Sequence, residues 1–190
     1  NRREDGFHNI ESIMQTINLF DYLTISVGDF HTQRIILNGN SLEIPYNEKN
    51  LVYKAAKLFT EQCNIHKQKI EIYIDKSIPV SAGLAGGSTD AAGTLYGLNL
   101  LFGNILTTQK LHQLASQLGS DLNVCLNGGR VLAKGRGEII EEQEFKPSVV
   151  NLIKPLNLGI SAKEAYTKFS QKINDAEALK NREKYINDLE

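Results

Sequence analysis

The chain has 190 residues, 41% hydrophobic and 23% charged, enough for one globular core, or for a core plus part of a second domain. A net charge of −1 without a basic block speaks against an electrostatic grip on nucleic acid. The longest apolar runs are far short of a membrane span, no signal-peptide pattern opens the chain, and the four histidines show no metal-ligand spacing.

Cys63 and Cys125 lie far apart without CxxC spacing, so a reducing, cytoplasmic setting is expected, or a plastid stroma for a plant-type source. The chain opens on NRREDGFH without a starter methionine and stops at YINDLE in what reads as mid-helix. A fragment lacking both ends is expected.

In chain order, YLTISV (22–27) alternates apolar and polar residues, which predicts a half-buried strand. Gly28 and Asp29 offer a turn before a second strand over 33–38. Asn47 is a candidate cap for a helix through LVYKAAKLFTEQC, whose apolar stripe is Leu51, Ala55, Leu58, Phe59 and Cys63. KIEIYID (69–75) alternates strictly and predicts a strand with Ile70, Ile72 and Ile74 inward. A glycine-rich loop leads into a helix from about Ser88 to Phe102, with Gly103 placed to end it. Another helix spans about Thr108 to Leu118. Beyond Gly119, NVCL, the turn NGG and RVLAKG suggest a hairpin. Residues 148–153 read as a further strand, and Ser161 with Glu164 as a capping box for a helix carrying Tyr166 and Phe169. Hairpins mixed with helices, without repeated βαβ units, predict an α+β fold with a boundary near Lys146-Pro147.

The loop PVSAGLAGGSTDAA (79–92) sits where chemistry is easiest to place. A helix N-terminus exposes unpaired N–H groups and the positive end of its dipole, so it attracts anions. Gly83, Gly86 and Gly87 would let a polyphosphate approach the backbone, with the Ser88 and Thr89 hydroxyls at the helix start. The spacing fits neither a Walker loop, nor a Rossmann loop, nor a nucleophile elbow. Taken alone, the stretch reads first as a plain helix-entry turn, with a phosphate site the lesser reading.

Order and spacing add to this. REDGFH (3–8), KNLVYKAA (49–56), DKSIPVSAGLAGGSTDAA (75–92), LGSDLNVCLNGG (118–129), KGRGE (134–138) and NDLE (187–190) run across nearly the whole chain. In that order they resemble the small-molecule kinase family of galactokinase, homoserine kinase, mevalonate kinase and phosphomevalonate kinase, the GHMP kinases. The resemblance implies a two-layer N-terminal ATP-binding domain of the left-handed βαβ type over 1–147. Residues 148–190 would begin a ferredoxin-like C-terminal domain.

It also implies roles. Pro79, Val80, Ser81, Ala82, Gly83, Leu84, Ala85, Gly86, Gly87, Ser88 and Thr89 would wrap the ATP phosphates, with Ser88 near Mg²⁺. Asn50 and Lys76 match positions lining the nucleotide site, and Asp121 matches the catalytic base. Phe7 and His8, with Tyr166 on the other face, match residues that hold a cytosine ring. The implied reaction is ATP-dependent phosphorylation of the 2-hydroxyl of 4-diphosphocytidyl-2-C-methyl-D-erythritol, in non-mevalonate isoprenoid biosynthesis. Phosphoryl transfer needs positioning and charge neutralisation more than covalent chemistry, which suits such a set.

Each of these residues also has a plainer reading: Asp121 as a turn acid, His8 as a surface histidine, Lys76 as a strand-end lysine, Tyr166 as a core aromatic. Gly135, Gly137 and Glu138 read as a structural turn. Asn123 stands where the family has proline, Arg130 and Ala162 where threonine is common, and Ala85 where a loop glycine is usual. The family's catalytic lysine is expected upstream of residue 1, so the 190 residues alone would be inactive. Two rivals stand beside this reading: a homoserine- or mevalonate-type kinase of the same family, and a non-catalytic module of the same fold.

Overall fold

The computed structural model describes residues 8–154 and Thr167. Its elements in chain order are β1 (Ile10–Gln15), β2 (Tyr22–Asp29), β3 (Arg34–Gly39), α1 (Leu51–Gln62), β4 (Gln68–Asp75), α2 (Gly86–Leu101), α3 (Thr108–Leu118), α4 (Leu122–Asn127), β5 (Arg130–Gly135) and β6 (Ile139–Glu142). The strands form two three-stranded sheets, ordered β2-β4-β3 and β1-β5-β6. Helices pack on sheets without an alternating βαβ chain, so the expected α+β class holds.

β4 is the centre of the first sheet. It runs antiparallel to β2 and parallel to β3, so β3–α1–β4 is a single βαβ crossover. The strict alternation of β4 turns Ile70, Ile72 and Ile74 inward, each buried, against Ala55 and Phe59 of α1 and Ala91, Leu95 and Leu98 of α2. Leu111 and Leu114 of α3 and Leu122 of α4 close the same core. Helix α2 lies close upon β2 because Gly93 and Gly97 face it. A Cβ there would come within 3.2 Å of Leu23 and 2.9 Å of Ile25.

Several expectations are corrected. Asn50, not Asn47, caps α1: its side chain accepts from the Val52 N–H at 2.9 Å, while Asn47 accepts from Lys49 in the turn before. The buried stripe of α1 is Val52, Ala55, Ala56, Phe59 and Thr60, one position round from the expected one, with Leu51, Leu58 and Cys63 at its flanks. Helix α2 begins at Gly86, inside the glycine pair, and stops where expected, with Gly103 left-handed at φ 78°.

NVCL is helical, within α4, so the expected hairpin of NVCL with RVLAKG is replaced. β5 pairs instead with β1 and β6, two strands the sequence reading missed. Residues 148–153 form no strand; Val149 and Ile153 are almost fully exposed, with no ladder partner among the described residues. The segment is tied down by side chains: Gln15 donates to the Lys146 carbonyl and Lys154 to the Val80 carbonyl, at 2.9 and 2.8 Å. The capping box at Ser161 lies outside the described residues.

Candidate active site

The loop joining β4 to α2 has an unusual backbone. φ is positive at Ser81, Gly83 and Ala85 and negative between them. Alternation of this kind turns successive N–H groups to one side and makes anion-binding concavities. Only Gly83 takes such a φ without steric cost; Ser81 and Ala85 each give up about 1–2 kcal/mol to hold it. Ala85, the expected glycine position, is also the residue at the N-cap of α2, with φ 54° and no side chain able to cap. The first turn of α2 therefore keeps its amides free of any capping side chain.

Thr89 makes the first return bond of the helix, its N–H to the Ala85 carbonyl at 2.9 Å. Its hydroxyl donates to the same carbonyl and lies 3.4 Å from the Cys125 sulfur. That contact ties the start of α2 to α4. Burial pushes the Cys125 thiol up, which keeps it neutral.

Asp121 stands at the head of α4, at the N-cap, yet its side chain makes no capping bond. An aspartate there would ordinarily accept from amides of the first turn. Burial raises its pKa above the usual carboxylate range. Asp121 lines a cleft of about 510 Å³ together with Gly83, Leu84, Ala85, Thr89 and Cys125. Met14 at the end of β1 and Leu152 of the trailing segment border it too.

Asp121 is held from behind. Asn123, two residues on and 3% exposed, donates to Ser116 Oγ at 2.7 Å and to the Glu138 carbonyl at 3.1 Å, and its Oδ1 lies 3.1 Å from His112 Nδ1. Asn123 thus fixes the chain after Asp121 by hydrogen bonds to α3 and to the β5–β6 turn. That turn also packs on Ser120: a Cβ on Gly137 would come within 3.1 Å of the Ser120 carbonyl. The structural reading of Gly135, Gly137 and Glu138 holds, and the turn buttresses the residue beside Asp121.

Lys76 lies beneath the loop. Its side chain, 6% exposed, pairs with Asp21, which precedes β2, and with Asp90 of α2 at 3.1 Å. Burial alone would raise the pKa of Asp21, but Lys76 and the N–H groups of Ser77 and Ile78, at 2.6 and 2.7 Å, outweigh it and hold it below its ordinary value. Asp90 has only Lys76. Burial, with Asp21 nearby, pushes it to about 6 against the pull of the lysine. Neither Asp21 nor Asp90 carried a role in the sequence reading, because nothing local marks a pair that meets across some seventy residues of chain.

Gly83, Leu84, Ala85, Thr89 and Asp121 are thus brought to one cleft, whose lining does not include Pro79 to Ala82 or Gly86 to Ser88. Asn50 is not among the residues lining it; its side chain is engaged by the Val52 N–H and the Pro45 carbonyl, and its neighbour Leu51 faces Gly87, where a Cβ would lie 3.9 Å away. His8 lies two residues ahead of β1, whose far end borders the cleft. Phe7 and Tyr166 lie outside the described residues.

Residues 50–129 match the GHMP kinases N-terminal domain. A relative from Clostridium tetani named 4-diphosphocytidyl-2-C-methyl-D-erythritol kinase is 44% identical over 171 residues, 90% of this chain and 59% of its own length. One of the same name from Syntrophomonas wolfei is 43% identical over 87% of this chain and 56% of its own. The chain therefore spans less than two thirds of these relatives. The crystal structure of a 4-(cytidine 5'-diphospho)-2C-methyl-D-erythritol kinase superposes with TM-score 0.67 at 28% identity, covering 99% of this chain and 69% of that one. Homoserine kinase from Cytophaga hutchinsonii, at 22% identity and TM-score 0.58 over 77% of this chain and 50% of its own, shares the fold. Residues 50–129 therefore carry a GHMP kinases N-terminal domain, and most of the chain is similar to kinases that share it.

Proposed function

We propose that the whole protein transfers the γ-phosphoryl group of ATP to the 2-hydroxyl of 4-diphosphocytidyl-2-C-methyl-D-erythritol, a step of non-mevalonate isoprenoid biosynthesis in the cytoplasm. Residues 1–147 would be its nucleotide-binding domain and 148–190 the start of a second. The carrying observation is an uncommitted, half-buried carboxylate, Asp121, facing the same cleft as a loop with left-handed residues at 81, 83 and 85.

In this reading the amides of the loop and of the first turn of α2 bind the phosphates. Asn50 and the remaining loop residues, Pro79 to Thr89, line the nucleotide site. Asp121 accepts the proton of the attacking hydroxyl as the oxygen approaches phosphorus. Burial raises its pKa, which makes it a stronger base than a solvated aspartate. Met14 and Leu152 help exclude water. For Mg²⁺ the chain offers little: no group of three acidic, histidine or cysteine ligands occurs among the described residues. Ser88 fits as one accessory hydroxyl, with the phosphates and water supplying the rest of the shell. When bound, the ion neutralises phosphate charge.

Phe7, His8 and Tyr166 would hold the cytosine ring, and this choice of base separates the reading from a homoserine- or mevalonate-type kinase. A site that hydrogen-bonds a base edge rejects the wrong base by about a few kcal/mol, because its polar groups are left unpaired. The test is kcat/KM of the full-length protein on the cytidine substrate and its uridine analogue, in wild type and His8→Ala. A strong cytidine preference that the variant loses is expected. Equal use of both substrates by the wild type would refute the cytosine site.

A further inference from the structure

Lys76 was expected among the residues lining the nucleotide, but its environment gives it another task. Its ammonium is buried between two carboxylates from different parts of the fold. Asp21 comes from the connection into β2, Lys76 from the end of β4, and Asp90 from the second turn of α2. Asp21 also accepts from the backbone of Ser77 and Ile78, so it fixes the very peptides that leave β4 for the loop. On the other side, Lys76 Nζ is pressed against the start of α2: a Cβ on Gly86 would come within 2.8 Å of it.

We infer that Asp21, Lys76 and Asp90 form a buried charge clamp that locks both ends of the loop over residues 79–89, with Lys76 a positioning residue and not a nucleotide ligand. One end is held by Asp21 on Ser77 and Ile78, the other by Lys76 on Asp90. The loop contains two non-glycine residues with positive φ, Ser81 and Ala85, and such strain persists only where the surroundings over-determine it. The clamp supplies that constraint. It also explains Gly86, since any larger residue would displace the lysine head. The two carboxylates share one ammonium, and Asp90 Oδ1 is left buried without a partner. Removing Lys76 therefore strands a buried carboxylate on α2 itself.

The inference rests on the reading of this loop as the phosphate site, so the test reads the clamp and ATP binding separately. Four versions of the full-length protein are compared: wild type, Lys76→Met, Asp90→Asn and the double variant, by thermal unfolding and by steady-state kinetics with ATP. Lys76→Met is expected to lower Tm by about 5 °C or more. It should also raise KM for ATP about tenfold, with kcat at saturation little changed. Adding Asp90→Asn should recover more than half of both losses, because no unpaired carboxylate remains on α2 and Asp21 keeps its backbone donors. A raised KM with unchanged Tm and no recovery in the double variant would overturn the clamp and return Lys76 to the nucleotide. Should Lys76→Met fail to fold, a double variant that folds and binds ATP supports the pairing, and one that also fails to fold overturns it. If the wild type binds no ATP, the kinase reading falls alone. The Tm values then decide: recovery in the double variant supports the clamp, and additive losses refute it.

Discussion

Gly87→Ala separates the stability of the phosphate loop from its chemistry, because the two should move in opposite directions. Gly87 is the second residue of α2, and its φ is not in the left-handed region. A Cβ there would meet nothing nearer than Leu51 Cδ1 at 3.9 Å, an ordinary contact. Alanine in place of glycine in a helix is worth up to about 1 kcal/mol, less in the first turn, so a gain of roughly 0.5 kcal/mol is expected. For a chain of this size that is about 1–2 °C in Tm. The added Cβ tilts toward the helix N-terminus, the side from which a phosphate must approach. If it lengthens one or two charge-assisted bonds to the amides, each worth about 1.5–3 kcal/mol, ATP affinity should fall about 10- to 100-fold or more. Urea unfolding and calorimetric titration with ATP on the full-length protein read the two quantities. Greater stability with unchanged ATP affinity would refute the placement of phosphate at this helix start. Gly86 is unsuited to the same test, since a Cβ there collides with Lys76 and Ile78, at 2.8 and 3.0 Å, and would disturb fold and ligand together.

Asp121→Asn should lower turnover by about 10²-fold or more while leaving ATP affinity nearly unchanged; near-normal kcat would reduce Asp121 to a turn residue. Because burial raises this pKa and the base must be ionised, the acid limb of kcat/KM should lie above the ordinary aspartate range and vanish from the residual activity of the variant. Asn123→Ala removes two donated bonds and leaves Ser116, the Glu138 carbonyl and His112 without a partner from position 123. A loss of about 1–3 kcal/mol in unfolding free energy with a fall in kcat is expected. Ala85→Gly relieves a left-handed alanine and should stabilise the fold by about 0.5–1 kcal/mol; destabilisation would show that the alanine methyl packs.

The sequence made the central elements legible because their patterns are local. Strict alternation in 69–75 placed β4, and the glycine after α2 placed its end. β1 and β6 went unread because a strand whose apolar and polar residues do not alternate cleanly gains its identity from its neighbours. NVCL was read as a strand on its β-branched and apolar residues, yet Asp121 and Asn123 start a short helix whose anchors, Ser116, His112 and Glu138, come from both sides in sequence. The glycine loop was legible as a backbone device but ambiguous as a site. The clamp beneath it was invisible, since Asp21 and Asp90 are unremarkable until the fold brings them to one lysine.

The departures from the family pattern carry the same lesson about inference from residue type. A proline near the head of α4 fixes the chain through its ring; Asn123 fixes it through buried hydrogen bonds, and Asp121 is left uncommitted at the N-cap. A glycine at position 85 would adopt φ 54° freely; Ala85 adopts it under constraint, in a loop whose two ends are tied to Asp21 and Lys76. In each case contacts from elsewhere in the fold hold the backbone at that position. What the motif specifies is therefore a position for amides and a carboxylate around one cleft. Residue identity is one of several ways to hold it, and the energetic cost of the substitute falls on the supporting contacts at Asn123, Lys76 and Asp21, where the proposed variants probe it.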